Sequence, residues 1–122
     1  MPTSDELAHL ASFSRENLVN WQRKDGHHAG SGIRIGGTPV RCLTFDDLLA
    51  DVDYVDLLYI DAEGYDFELL KLFDFDRLAP EIVRFEHVGL SQGEWDEAVR
   101  LLAHHGYRTV REEDDTSGYR RP

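Results

Sequence analysis

Tyr54 to Gly64 reads YVDLLYIDAEG, an apolar run that stops at two carboxylates and a glycine. Val55, Leu57, Leu58, Tyr59 and Ile60 are too continuous for a half-exposed strand and too short a run for a core helix, so Tyr54–Ile60 is predicted to be a buried, central parallel strand. Gly64 then opens a helix from Tyr65 to about Phe73, with Leu69, Leu70 and Phe73 along it. Ligands of open α/β sheets bind beyond the carboxyl ends of the strands, and this junction is such an end. Asp61 and Glu63 are therefore site candidates by position and by residue type. For Glu63 a helix-capping reading stands beside the functional one, since a carboxylate at a helix N-terminus is favoured by about 0.3–1 kcal/mol.

Working outward, Pro80 precedes EIVRFE, a second strand over Glu81–Glu86 whose apolar residues are Ile82, Val83 and Phe85. It ends at Glu86 and His87. Upstream, Thr38–Leu43 is predicted to be a strand, and Thr44 with Asp47 three residues on is an acidic form of the capping box that starts a short helix through Leu49. Downstream, Ser91 with Glu94 is a full capping box. Trp95, Ala98, Val99 and Leu102 give its helix an apolar stripe up to Gly106. Tyr107–Glu112 alternates as a strand, and the tail EEDDTSGYRRP turns into a last short strand near Ser117–Tyr119. Helices alternating with strands predict an α/β fold with a mainly parallel sheet built from right-handed crossovers.

The N-terminal part is less regular. Leu7, Leu10, Phe13, Leu18 and Trp21 suggest one or two short amphipathic helices before Arg23, the second capped by Ser14. Arg23–Gly37, RKDGHHAGSGIRIGG, is predicted to be a mobile Gly-rich loop. No buried strand leads into its glycines, so they are not a dinucleotide fingerprint.

A length of 122 residues predicts a single domain over residues 1–122 with one core, at the small end for a doubly wound sheet. With 13 Lys plus Arg against 24 Asp plus Glu the formal net charge is −11, which disfavours nucleic acid and anionic membranes as partners. A lone Cys42 excludes an internal disulfide, and no N-terminal apolar stretch resembles a signal peptide or membrane span, so a cytoplasmic location is expected. Cys42 itself reads as a small buried apolar group.

If both strands run parallel, Asp61/Glu63 and Glu86/His87 end on the same side of the sheet and face one cleft. His87, of a residue type with an ordinary pKa of about 6.5, serves there either as a base or as a hydrogen-bonded rim histidine. Asp61, Glu63, Glu86 and His87 are hard or borderline metal ligands, but no H-x-x-x-H or C-x-x-C spacing accompanies them and no metal is expected. Tyr65 and Asp66 follow the glycine and are placed to line the pocket, although Tyr65 equally reads as a packing aromatic, and only Tyr65 is carried forward as a candidate. A small acidic hydrolase using Asp61 and Glu86 lacks a nucleophile elbow and is set aside.

Five segments in order, CLTFDDLL, VDLLYIDAEGYDFELL, PEIVRFEHVGLS, LLAHHGYRTV and DDTSGY, resemble the C-terminal half of FkbM-type methyltransferases over roughly Ser12–Tyr119. The resemblance implies a Rossmann-like class I methyltransferase fold that uses S-adenosylmethionine to methylate oxygen on a small hydroxylated acceptor, often a sugar. Carried onto this chain, it implies catalytic roles for Asp61, Glu86 and His87. Cofactor contacts fall to Asp61, Glu63 and Gly64, and acceptor contacts to Glu63, Tyr65 and His87. Asp115 and Thr116 resemble another recurrent patch of the family, and a solvated acidic turn explains them equally well. The D-x-G-x-N-x-G loop and the acidic strand end of such proteins have no counterpart here, so the expected sheet is partial and lacks the first two strand–helix units. Its Tyr54–Ile60 strand is then an exposed edge, open to a homodimer or to a separately supplied N-terminal half. A non-catalytic module for dimerisation or partner docking is the alternative reading.

Overall fold

In a computed structural model, residues 36–120 are described, together with Arg15, Glu16 and Val19, which are helical. The rest of the predicted N-terminal helices, the Ser14 cap and the loop from Arg23 to Ile35 lie outside the described residues.

Local chemistry sets the element boundaries. Thr44 opens α1 (Phe45–Leu48): its hydroxyl accepts from the Asp47 backbone N–H at 3.1 Å and donates to the Asp47 carboxylate at 2.8 Å. β1 (Leu57–Ile60) and α2 (Asp66–Leu72) follow. After β2 (Ile82–Glu86), the Ser91–Glu94 capping box closes in both directions and starts α3 (Gln92–His104). Gly106, at φ +86°, turns the chain into β3 (Tyr107–Arg111), and β4 (Asp115–Arg120) completes the sheet. Among the described residues no helix is long and apolar enough to cross a membrane.

The sheet order is β1-β2-β4-β3. β1 pairs β2 in parallel, with Leu58 opposite Val83 and Ile60 opposite Phe85, whereas β4 is antiparallel to both β2 and β3. The expected mainly parallel sheet is therefore corrected to one parallel and two antiparallel pairings. The cause is the short Glu112–Asp114 connection, which permits only an antiparallel return, since a parallel return needs a crossover of a dozen residues or more. β1, β2 and β3 still share one direction; β4 alone opposes them, inserted between β2 and β3.

Residues alternate across the sheet, so Leu58, Ile60, Val83, Phe85 and Gly118 share the face covered by the helices. There Ile60, Val83 and Phe85 join Phe67, Leu70, Phe73, Phe75, Leu78, Ala98, Leu102 and Tyr107 in one buried cluster. Gly118 admits α3 closely, because a Cβ on it would sit 3.3 Å from the Leu102 side chain. Tyr107 donates its hydroxyl to the Pro80 carbonyl at 2.6 Å beneath this core. Phe45 packs edge-on against Phe73, and Arg77 reaches the Leu49 and Val52 carbonyls, so α1 is tied to the β1 side.

β1 is an edge of the described sheet, as the resemblance implied. Two further expectations change: only Ile60 of the four β1 residues is buried, and Leu57 and Tyr59 are each 54% exposed, because no described helix covers the second face. Thr38–Leu43 is irregular and exposed, Cys42 included. An extended segment becomes a strand only by pairing, and among the described residues this one has no ladder partner.

The Ser91→Ala variant is expected to lose about 1 kcal/mol of stability through the broken cap, read as a lower denaturation midpoint with an unchanged denaturant slope. An unaltered midpoint contradicts the cap.

Candidate functional site

Because Ile60 and Phe85 are register partners, β1 and β2 finish side by side, and the turn after β1 lies against the end of β2. That turn is unusual. Glu63 and Gly64 are successive residues with positive φ, +49° and +92°, and Tyr65 closes the turn by donating its N–H to the Ala62 carbonyl at 3.1 Å. A left-handed conformation costs a non-glycine residue such as Glu63 roughly 1–2 kcal/mol. The conformation persists only when its surroundings impose it, and such residues cluster at functional sites.

Asp66 imposes it. Its side chain is fully buried, and its two carboxylate oxygens accept from the Ala62 N–H at 3.3 Å and the Gly64 N–H at 3.2 Å. Burial raises the Asp66 carboxyl above the usual carboxylate range, opposed by hydrogen bonds from the backbone N–H groups of Ala62, Gly64, Asp66 and Glu86.

Glu86 points to the face opposite the core, as alternation from Phe85 requires, with Asp115 its register partner on β4. Its carboxyl is pushed up to about 7, first by partial burial and then by the charges of Asp61, Glu63, Asp66 and Asp115. Glu63 is raised as well, by burial and by Asp61 and Asp66. Asp61 and Glu63 are exposed, and Tyr65 is 38% exposed at the start of α2. Asp115 is held from its other side by Arg84 at 2.7 Å, and Arg84 also pairs with Glu112. The structure thus brings Asp61, Glu63 and Glu86 together around the Gly64 turn.

His87 is carried elsewhere. Consecutive residues at a strand end point to opposite faces, so the cleft expected to hold both Glu86 and His87 holds only Glu86. The His87 ring is buried at the core face, with Nδ1 3.0 Å from Thr116 Oγ1 and Nε2 accepting from Arg111 Nε at 3.2 Å. Arginine only donates, so this bonding assigns the ring proton to Nδ1, which donates to Thr116. Trp95 Nε1 donates to the same hydroxyl at 2.9 Å, and the Arg111 guanidinium stacks 4.6 Å over the Trp95 ring. With both nitrogens engaged, the ring offers a ligand no free lone pair.

From the sequence Asp66 reads only as a second residue that lines the pocket beside Tyr65; its burial and its bonds to the turn were not foreseen. Nor was the Trp95–Thr116–Arg111 setting of His87, joined only in three dimensions. Among the described residues no three His, Cys, Asp or Glu side chains are grouped to hold a metal ion.

The family model described as the methyltransferase FkbM domain matches residues 3–109. No curated protein and no solved structure matches the chain.

Glu86 also makes stability depend on pH. A carboxyl raised from 4.5 to about 7 binds its proton more tightly in the folded state, so its stabilising contribution is complete below about pH 4.5 and is lost as pH rises through 7. Allowing for solvent screening of this partly exposed group, the loss between pH 5 and pH 8 is on the order of 1 kcal/mol. Denaturant titrations of Glu86→Gln are expected to show a shallower fall over that interval than wild type, and equal slopes contradict the assignment.

Proposed function

The chain belongs to the FkbM methyltransferase domain family, and from that membership we propose that it transfers a methyl group from S-adenosylmethionine to a hydroxyl of a small acceptor such as a sugar. The observation that carries this reading is the Glu86 carboxyl, held at about 7 beside the turn that presents Asp61 and Glu63.

The donor set fits the cofactor's charge. Asp61 and Glu63 are exposed carboxylates suited to a ligand bearing an ammonium and a sulfonium, and Gly64 leaves backbone without a side chain beside them. When bound, the cofactor supplies an electrophilic methyl group. Glu86, close to half ionised at neutral pH, accepts the acceptor's hydroxyl proton as the oxygen–carbon bond forms and the sulfur–carbon bond breaks. Asp61 and Glu63 orient the reactants, and Tyr65 flanks the acceptor. His87, turned away from the cleft, anchors the end of β2 to β4 and α3.

A second reading rests on a separate observation. Leu57, Tyr59, Ile82, Val110 and Tyr119 are exposed on the face that no described helix covers. This face and the β1 edge suit a non-catalytic module that docks a second copy. An antiparallel β1–β1 contact centred between Leu58 and Tyr59 sets Asp56 opposite the second copy's Asp61, and like charges so placed repel. Sedimentation of such a dimer is expected to strengthen from low to high salt; a monomer at both excludes this contact.

Calorimetric titration with S-adenosylhomocysteine tests the enzymatic reading. One site per chain is expected, weakened in Asp61→Asn. Glu86→Gln is expected to keep the cofactor affinity within a few-fold while methyl transfer to hydroxylated acceptors falls about 10²- to 10⁴-fold. A folded chain that releases no heat overturns the proposal.

A further inference from the structure

We propose that Arg111 forms an oxyanion-binding site: its guanidinium, held in one orientation by His87 and Trp95, takes a carboxylate or phosphate group end-on through its two terminal nitrogens. The site lies apart from Glu86 and does not depend on the proposed methyl transfer.

The orientation is built from the core outward. Thr116 is fully buried on β4, and its hydroxyl accepts from Trp95 Nε1 at 2.9 Å and from His87 Nδ1 at 3.0 Å. The indole of α3 and the imidazole after β2 are thereby fixed against one atom. His87 Nε2 then accepts from Arg111 Nε at 3.2 Å, and the guanidinium lies 4.6 Å over the Trp95 ring. Thr116, His87, Arg111 and Trp95 thus close a ring of contacts, and none of these side chains turns without breaking two of them. Arg111 is ordered before a ligand arrives, so the cost of immobilising a long side chain falls on folding rather than on binding.

The donor count says which pairing is left. A guanidinium carries five N–H groups in a planar fork. His87 takes the Nε–H, which removes the side-on mode that pairs Nε with one terminal nitrogen. The terminal N–H groups bond to no described residue. Their end-on edge, two N–H groups matched to two oxygens of one anion, stands at the surface, where Arg111 is exposed.

The acids around it are otherwise engaged. Arg84 holds Glu112 and Asp115 on the opposite face of the sheet, Glu94 closes the capping box with Ser91, and Asp96 accepts from Gln92. Glu113 and Asp114, in the β3–β4 turn, make no ion pair with Arg111. Parity along the strands separates the fork from Glu86. Arg111 is opposite Thr116, and Thr116 opposite Phe85, so all three share the helix-covered face while Glu86 points to the other. β3 also stands two ladders, about 10 Å, from β2.

The test follows the Trp95 Nε1–H and Arg111 Nε–H signals by proton–nitrogen NMR, at fixed pH and ionic strength, as inorganic phosphate, glucuronate or glucose is added. Phosphate or glucuronate is expected to move both signals along a saturating curve, and glucose to leave them still. Saturation by phosphate alone identifies a phosphorylated ligand, by glucuronate alone a carboxylate ligand, and by both an oxyanion of either kind. Arg111→Lys keeps the charge but loses the planar fork, and is expected to weaken binding about tenfold or more. Equal binding by a folded Arg111→Lys variant overturns the fork, because charge alone then attracts the anion. Signals that stay still with both anions, or that move as far with glucose, overturn the site and leave Arg111 a packing residue. If Arg111→Lys does not fold, wild type decides: the largest shifts must centre on Arg111 and Trp95, and shifts centred elsewhere overturn the proposal. None of these readouts involves S-adenosylmethionine or its product, so failure here and failure of the methyl-transfer reading are seen separately.

Discussion

The parallel ladder between Leu57–Ile60 and Ile82–Phe85 is the constraint on which the rest of the molecule depends. Its register puts Leu58, Ile60, Val83 and Phe85 on one face, where they meet α2 and α3, and a slip of one residue would turn that apolar set toward solvent. The same register makes the two strands end together. Coincident ends bring the turn after β1, held on the inside by the buried Asp66 carboxylate, against the end of β2. Core and site are therefore two consequences of one pairing.

The parts of this arrangement legible in the sequence are those decided locally. The caps at Thr44 and Ser91 need only a hydroxyl and a carboxylate three residues apart; the Ser91 box closes as read, while Thr44 caps through its hydroxyl alone. β2 and β3 announce themselves by apolar and alternating residues within a few positions. The placement of β4 between β2 and β3 was hidden because it is a choice among distant partners. Thr38–Leu43 has a strand's composition and, among the described residues, no strand to join. In the site, Asp61, Glu63 and Glu86 were visible as charges following apolar runs. The separation of Glu86 from His87 was also within reach, since parity along a strand sends neighbours to opposite faces. Asp66 was not, because its importance comes from burial among backbone donors that only the folded turn creates.

The distribution of charge explains why Glu86 is singled out. In a chain of net charge −11, the second face of the sheet gathers Glu86, Asp115 and Glu112 in one row. Arg84 engages Asp115 and Glu112, and Ser117 donates to Glu112 at 3.0 Å, so those two acids remain compensated as carboxylates. Among the described groups around it, the charges acting on Glu86 are all negative. Holding a proton near neutral pH is the outcome that like charges enforce at a half-buried position.

The position of β4 has a consequence for how the chain acquires its structure. Residues Asp115–Arg120 are the latest described segment in chain order, yet they fill an interior slot of the sheet and supply partners to both β2 and β3. A nascent chain emerging from the ribosome can assemble β1, α2 and β2 from nearby contacts. It cannot close the gap between β2 and β3 until this final segment has been synthesised. The ladder partners Ile82 and Tyr119 are far apart in sequence, a non-local closure of the slow kind. During that interval two strand edges stand open, and the growing chain relies on its strong negative charge to keep other chains away.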